Sequence, residues 1–295
     1  MIESLSPTIR AASLRQVSLV LHKFIPTTSI KAVIESTLYQ PGDMLSEAKL
    51  NPLSIRVVFA MTKALVLRNA SITSTILPSL LEKLTDPVFG LTVARGFSSL
   101  LQPDDILNKE NHCRISALHK QKTFNSIVPQ LASSFKSADT AAKKNYLIAL
   151  SGILRWLPYS IIEPELSSIV PLLLQSLDLE SEDEVKGATI DTFFALLTEN
   201  PKAVEQHASS LITRLLNTTT AKKDPPRVRA SALQCLTVVS GRLRIELVLP
   251  FRRQVVKRLI GALDDKRRAV RIEAVRCRAK WIELDEPGGG AEEED

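Results

Sequence analysis

"DEVKGATIDTFFALL", residues 183–197, decides the fold because it recurs. Forty-three residues on stands "PRVRASALQCLTVV", from Pro226, and 42 beyond that "RAVRIEAVRCRAKW", from Arg268. Each copy sets a valine beside a cation, with a small residue three positions after it: Val185-Lys186, Val228-Arg229 and Val270-Arg271. Stepping back 43 from Val185 reaches Ala142-Lys143 in "DTAAKKNYLIALSGIL". The segments ahead of these copies repeat as well. "SIVPQLASSF", "SIVPLLLQSL" and "SSLITRLLN" align Pro129, Pro171 and Thr213, and "RQVVKRLIGAL" follows with Lys257. "TILPSLLEKL", with Pro78, is one more copy, displaced by an insertion.

Each unit is therefore two helices, A and B, in about 42 residues, the period of helical HEAT or armadillo repeats. One pair cannot bury both of its apolar faces, so neighbours must stack. The expected fold class is an all-α, HEAT/armadillo-type α-solenoid of antiparallel helix pairs. Five full pairs are predicted: 72–101, 124–157, 166–200, 207–241 and 250–284. "SIKAVIESTL" and "SIRVVFAMTKALVLR" form a less regular pair before them. "TIRAASLRQVSLVLHKF" reads as a B helix without its A helix, giving six to seven repeats over 1–284, the first incomplete. A solenoid is expected to start on a capped unit. The expectation is therefore the C-terminal piece of something longer, or a truncated gene model. The prolines are tolerable if each sits in the first turn of its A helix. Ile190, Phe193, Phe194 and Leu197 form an apolar stripe at helical spacing. The loop "LQPDDILNKENHCRISALHKQK" is the longest irregular stretch and a candidate contact site.

Composition agrees. Aromatics are 5% of residues against 44% hydrophobic, so the core is aliphatic, and ten Gly suit helices better than sandwiches or phosphate-binding sheets. No apolar run reaches the length of a membrane span. "MIESLSPTIR" lacks the basic and apolar regions of a secretory signal. Cys113, Cys235 and Cys277 are isolated thiols, which argues for a reducing compartment. There is no zinc spacing, no CxxC and no HExxH. His112, Cys113 and His119 lack a fourth ligand, and nothing supplies a nucleophile with a base.

With those segments in view, the chain resembles the C-terminal HEAT-repeat domain of the scaffold family of the cytosolic iron–sulfur assembly (CIA) targeting complex. That family was first known for nucleotide excision repair, transcription and sensitivity to methyl methanesulfonate. The likeness is carried by "MTKALVLR", "LTDPVFGLTVARGFSSLL", "KKNYLIALSGILRWLP", "VRASALQCL" and "LDDKRRAVRIEAVRCRAKW", in that order. It runs from about Ile55 to Pro287 and is less distinctive before Ile55. The resemblance implies a non-catalytic adaptor in nucleus and cytoplasm, with no cofactor of its own. Its implied partners are the small CIA adaptor, a β-propeller protein, and iron–sulfur client apoproteins such as DNA helicases and polymerases.

The charge is uneven. Residues 221–280 hold 17 cations against five anions, whereas 281–295 hold seven anions and no cation. "EPGGGAEEED" is expected to be a disordered acidic tail over 285–295. Lys143, Lys186, Arg229 and Arg271 recur at one repeat position and are predicted to form a structural ladder. Asp183, Asp224 and Asp265 are predicted to cap the B helices. Surplus to the ladder are Arg252, Arg253, Lys257, Arg258, Lys266, Arg267, Arg268, Arg276, Arg278 and Lys280. With Trp281 they are the predicted partner-binding residues, spread over both helices of the last pair, whose final helix turns Val270, Ala274 and Val275 inward. The alternative is direct nucleic-acid binding by this basic block, which lacks interleaved aromatic residues for base stacking.

Overall fold

In a computed structural model, residues 7–36, 44–47, 49–180 and 182–284 are described. The acidic tail expected at 285–295 lies outside them, as does the end of "SIKAVIESTL". The chain divides into two compact units, residues 1–162 and 163–295. Among the described residues all regular structure is helical.

The first unit contains α1 (Pro7–Leu19), running into a π-helical turn (Val20–Phe24), then α2 (Ile30–Ser36), α3 (Pro52–Leu67), α4 (Thr73–Glu82) and α5 (Gly90–Leu101). It ends with α6 (His119–Ser137), α7 (Thr140–Leu154) and a short turn, Tyr159–Ile162. The B helices α1, α3, α5 and α7 pack one against the next. Asn51 starts α3 by accepting the N–H groups of Leu53 and Ser54, while Ser54 returns a bond to Asn51 N–H, closing a capping box. Flanked by α1, α4 and α5, α3 is buried on most sides. The α3–α5 contact needs Gly96, because a Cβ there would sit 2.2 Å from the Phe59 ring. Beside it, Phe59 meets Phe97 edge to face at 5.3 Å.

The second unit contains α8 (Leu166–Ser176), α9 (Asp183–Glu199), α10 (Ala208–Thr220), α11 (Pro226–Arg242), α12 (Arg252–Arg258), the turn Ile260–Leu263, and α13 (Arg268–Ile282). Here α9, α11 and α13 stack in the same way. Short turns at Lys202–Glu205 and Ile245–Val248 precede α10 and α12. They have only four residues each, too few to show a period in the sequence. No helix among the described residues is long and apolar enough to cross a membrane.

The repeat keeps its register. Pro78, Pro171, Thr213 and Lys257 are each the sixth residue of their A helix, so the prolines lie inside α4, α6 and α8 rather than in a first turn. The carbonyls they leave without a donor belong to Ser74, Asn125 and Ser167, all exposed residues. Water can bond those carbonyls, which lowers the usual cost of an interior proline.

Three further expectations change. Phe194 is 42% exposed, leaving Ile190, Phe193 and Leu197 as the buried stripe. Val275 is 59% exposed, and the inward set on α13 is Val270, Ala274, Cys277 and Trp281. The long loop after α5 packs back on its own unit. Asp104 binds Lys63 at 2.8 Å, the Ser116 N–H donates to the Leu67 carbonyl, and Cys113 is buried.

Candidate functional site

The four ladder cations are each the fourth residue of a B helix. Two make rungs between neighbouring repeats. Lys186 Nζ lies 2.9 Å and 3.1 Å from the two Asp224 carboxylate oxygens, and both side chains are buried. Arg229 grips Asp265 as a fork, Nε to Oδ2 at 3.0 Å and Nη2 to Oδ1 at 3.1 Å. Arg229 also donates to the Asp224 carbonyl, and Arg271 donates to the Asp265 carbonyl at 2.7 Å. Each aspartate thus takes a cation of the preceding repeat on its carboxylate and one of its own repeat on its carbonyl. Lys143 does not extend the chain of rungs. Its ammonium lies 5.6 Å from the centroid of the Phe135 ring.

The ladder explains why the predicted caps fail. Asp183 is inside the first turn of α9, and the N-cap position of α11 is Pro225 and that of α13 Arg267. Asp224 and Asp265 stand ahead of those helices, turned to the rungs. Asp265 still accepts the Arg267 N–H at 2.8 Å. Burial pushes its carboxyl up, but that N–H and the Arg229 and Arg271 guanidiniums outweigh it and hold it below the usual carboxylate range. A cap does occur one helix pair earlier, where Asp139, not among the predicted caps, accepts the Ala142 N–H at the start of α7.

The predicted partner residues separate into four groups, with Arg252 belonging to two of them. Trp281 is wholly buried, its indole N–H donating to the Leu236 carbonyl at 3.0 Å, so it closes the core and touches no partner. Several cations are engaged locally: Arg252 with the Ile282 carbonyl, Arg258 with Asn217 and Thr220, Arg276 with Glu273 and Lys280 with Glu283. Such local bonds offset the repulsion between Arg276 and Lys280, like charges four residues apart on α13, without any ligand. Lys266, Arg267 and Arg268 are exposed on the turn before α13.

Arg252, Arg253, Lys257 and Arg278 come together. They rim a shallow groove of about 480 Å³ between α12 and α13 whose floor is Val256, Ile260 and Ile282. Ile260 is 52% exposed, so the groove is apolar inside and cationic around its edge. The buried Nε of Arg278 has no acceptor among the described residues. A carboxylate or carbonyl seated in the groove would supply one. Val256, Ile260 and Ile282 were not singled out by sequence reasoning. The available signal was the four-residue step from Val256 to Ile260, about 100° round the helix from buried Val255 and Leu259.

Catalytic chemistry has little to work with. Among the described residues no group of three His, Cys, Asp or Glu side chains is placed to hold a metal ion. Cys235 and Cys277 are buried at matching positions. Burial pushes both thiols up, Cys277 to about 12, which leaves them protonated and inert.

Comparison with known proteins gives the family. The family model described as "RNAPII transcription regulator C-terminal" matches residues 1–240. Residues 1–54, expected to be the less distinctive part, lie inside that match, whereas the groove lies beyond it. The bovine MMS19 nucleotide excision repair protein homolog is 37% identical over 77% of this chain and 22% of its own length. The human homolog is 36% identical over 77% of the chain and 22% of its own length. The fission yeast DNA repair/transcription protein mms19 is 31% identical over 94% of the chain and 27% of its own length. The chain thus spans about a quarter or less of the curated relatives it matches. Among solved structures, a designed armadillo repeat protein superposes with a TM-score of 0.55 at 12% identity, covering 83% of this chain and all of that one. An engineered protein from a structural genomics consortium reaches 0.58 at 15% identity, covering 83% of this chain and 98% of that one. Those likenesses give the fold, an all-α repeat solenoid. By its sequence, the chain belongs to the MMS19 C-terminal family, the C-terminal domain of RNA polymerase II transcription regulators.

Proposed function

We propose that this chain is a non-catalytic scaffold module of the cytosolic iron–sulfur assembly complex, acting in cytoplasm and nucleus. It binds the small CIA adaptor, and through it the β-propeller protein. The assembly presents clusters to apoproteins of DNA repair, replication and transcription, such as helicases and polymerases. Family membership supports a role in DNA repair and transcription, as the names of the relatives have it. The observation that carries the docking site is the groove of α12 and α13, where exposed Ile260 and Ile282 are ringed by Arg252, Arg253, Lys257 and Arg278. An apolar floor inside a charged rim is the layout of a protein interface, with arginine anchors at its edge. A partner segment with an apolar side chain between carboxylates fits it.

The test is to mix the purified chain with the purified small adaptor and follow both by size-exclusion chromatography with light scattering. Co-elution as one stoichiometric species is expected. Separate elution at micromolar concentrations would remove the adaptor from the account.

A further inference from the structure

A second recess, in the first unit and apart from the groove, has a chemistry that scaffolding leaves unexplained. It encloses about 400 Å³ where the π-helical turn after α1, the end of α3 and the long loop meet. Its wall includes His22, Lys23, Arg68, His112 and Arg114, with the Ser116 hydroxyl beside them. None of the residues lining it carries a carboxylate. Arg68 and Arg114 both line it, and the Arg68 guanidinium is depressed by burial and by the charge of Arg114.

His22 gives an independent sign of a ligand. The residue is only 3% exposed. Its Nδ1 lies 3.0 Å from the Ala64 carbonyl, which can only accept, so Nδ1 carries the proton. Its Nε2 is buried with no hydrogen-bond partner. The Arg114 backbone is close enough to act on the ring but not in bonding geometry with it. A buried imidazole nitrogen without a partner is uncommon and calls for one. Burial, and then Arg68, push the imidazole down against the pull of the Ala64 and Arg114 backbone groups, so the ring is neutral at neutral pH.

The backbone is bent to build this recess. A π turn carries His22 and Lys23, and such turns often mark functional sites. Asn69 and His112, which also line it, hold φ angles of 57° and 56°, uncommon for residues other than glycine. Arg68 is fixed by donating to the Leu21 and Ile25 carbonyls and to the Thr27 hydroxyl, locking α3 to the turn. Arg114, exposed on the loop, keeps its guanidinium at the mouth.

We propose that this recess binds a phosphoryl oxyanion. A carboxylate offers one charge and two coplanar acceptors. A phosphate offers up to two charges and acceptors in three dimensions, matching cations that converge from a turn, a helix and a loop. Binding draws a proton onto His22 Nε2, turning an unpartnered acceptor into a donor on a residue that lines the recess. His112, Lys23, Arg68 and Arg114 are the other titratable or charged groups facing that space. As pH falls toward 6, the range in which histidine titrates, the proton on His22 favours binding and works against the weakening from the phosphate's own protonation, whose second pKa is about 6.

The test uses the full chain, with inorganic phosphate and O-phosphoserine as probes and chloride at matched ionic strength as control. Thermal unfolding and histidine ring NMR shifts are the readouts. Saturable stabilisation by phosphate, with an upward move of the His22 titration, is expected. Arg114→Gln, an exposed site that leaves the fold intact, is expected to weaken it about tenfold, the scale of one charge-assisted bond. His22→Asn is expected to remove the histidine contribution and leave only the weakening at lower pH that follows the phosphate's own protonation. Equal affinity for both probes assigns the site to free phosphate, and tighter phosphoserine binding assigns it to a modified side chain. Phosphate acting no differently from chloride, or binding Arg114→Gln unchanged, overturns the proposal.

Discussion

Asp224 and Asp265 each serve two repeats at once, and that double use sets the cost of losing one. Removing the Asp224 carboxylate strands a buried Lys186 ammonium. Asp224→Ala should then cost about 3–5 kcal/mol, the usual penalty for breaking a buried ion pair from one side. Lys186→Met combined with Asp224→Leu should recover most of it in urea denaturation, since no lone charge remains. Asp265 adds a pH signature. Its folded carboxyl lies below the usual range, so its stabilisation is present above the unfolded value, about 3.9, and is lost as pH falls through the lower folded value. The stability gap between the parent chain and Asp265→Asn should accordingly shrink below about pH 4. An unchanged gap at pH 3 would mean Asp265 is not held ionised by the rung. The ladder's cations were legible because they repeat with the fold. The capping role of the aspartates was misread, since a residue just ahead of a helix has the same sequence position whether it turns to its own N–H groups or to a neighbour's cation.

At the scale of elements, the helix pairs and their order were readable from a 42-residue period, since stacking requires every repeat to bury the same positions. What a period does not encode is where a neighbour comes too close or too far. Gly96 is an example: nothing in its sequence context announces Phe59, yet Gly96→Ala forces the ring aside. It should cost about 1–3 kcal/mol by overpacking, and Phe59→Leu in the same chain should relieve part of that in thermal melts. Phe194 and Val275 fail in the opposite direction, being apolar and correctly spaced but turned outward. Trp281 was legible as a helix-end aromatic with core closure as its default role, and its place among the partner residues is what the structure removes. Trp281→Ala should lose about 3–5 kcal/mol through the cavity it leaves, together with the indole bond to the Leu236 carbonyl. Loss of partner binding from that variant without loss of stability would contradict its place in the core.

Across the whole molecule, the surplus of cations in residues 221–280 divides into rungs, local bonds, a groove rim, the exposed residues Lys266, Arg267 and Arg268, and further exposed cations at Lys222, Arg227 and Arg242. That division predicts weak duplex DNA binding with few phosphate contacts. The slope of log affinity against log salt should stay shallower than about −4, as fewer than five neutralised phosphates give. A steeper slope would point to the basic block as a nucleic-acid surface. The groove itself was only half visible in the sequence, because its cations stand out in a count while its isoleucine floor looks like ordinary core. The central claim is that this groove docks the small CIA adaptor. It is tested most directly by calorimetric titration of that adaptor into the parent chain and into Arg253→Glu/Lys257→Glu, two exposed side chains at the rim. The account predicts at least about a tenfold loss of affinity for the charge-reversed chain with its melting unchanged; equal affinity for both chains would contradict it.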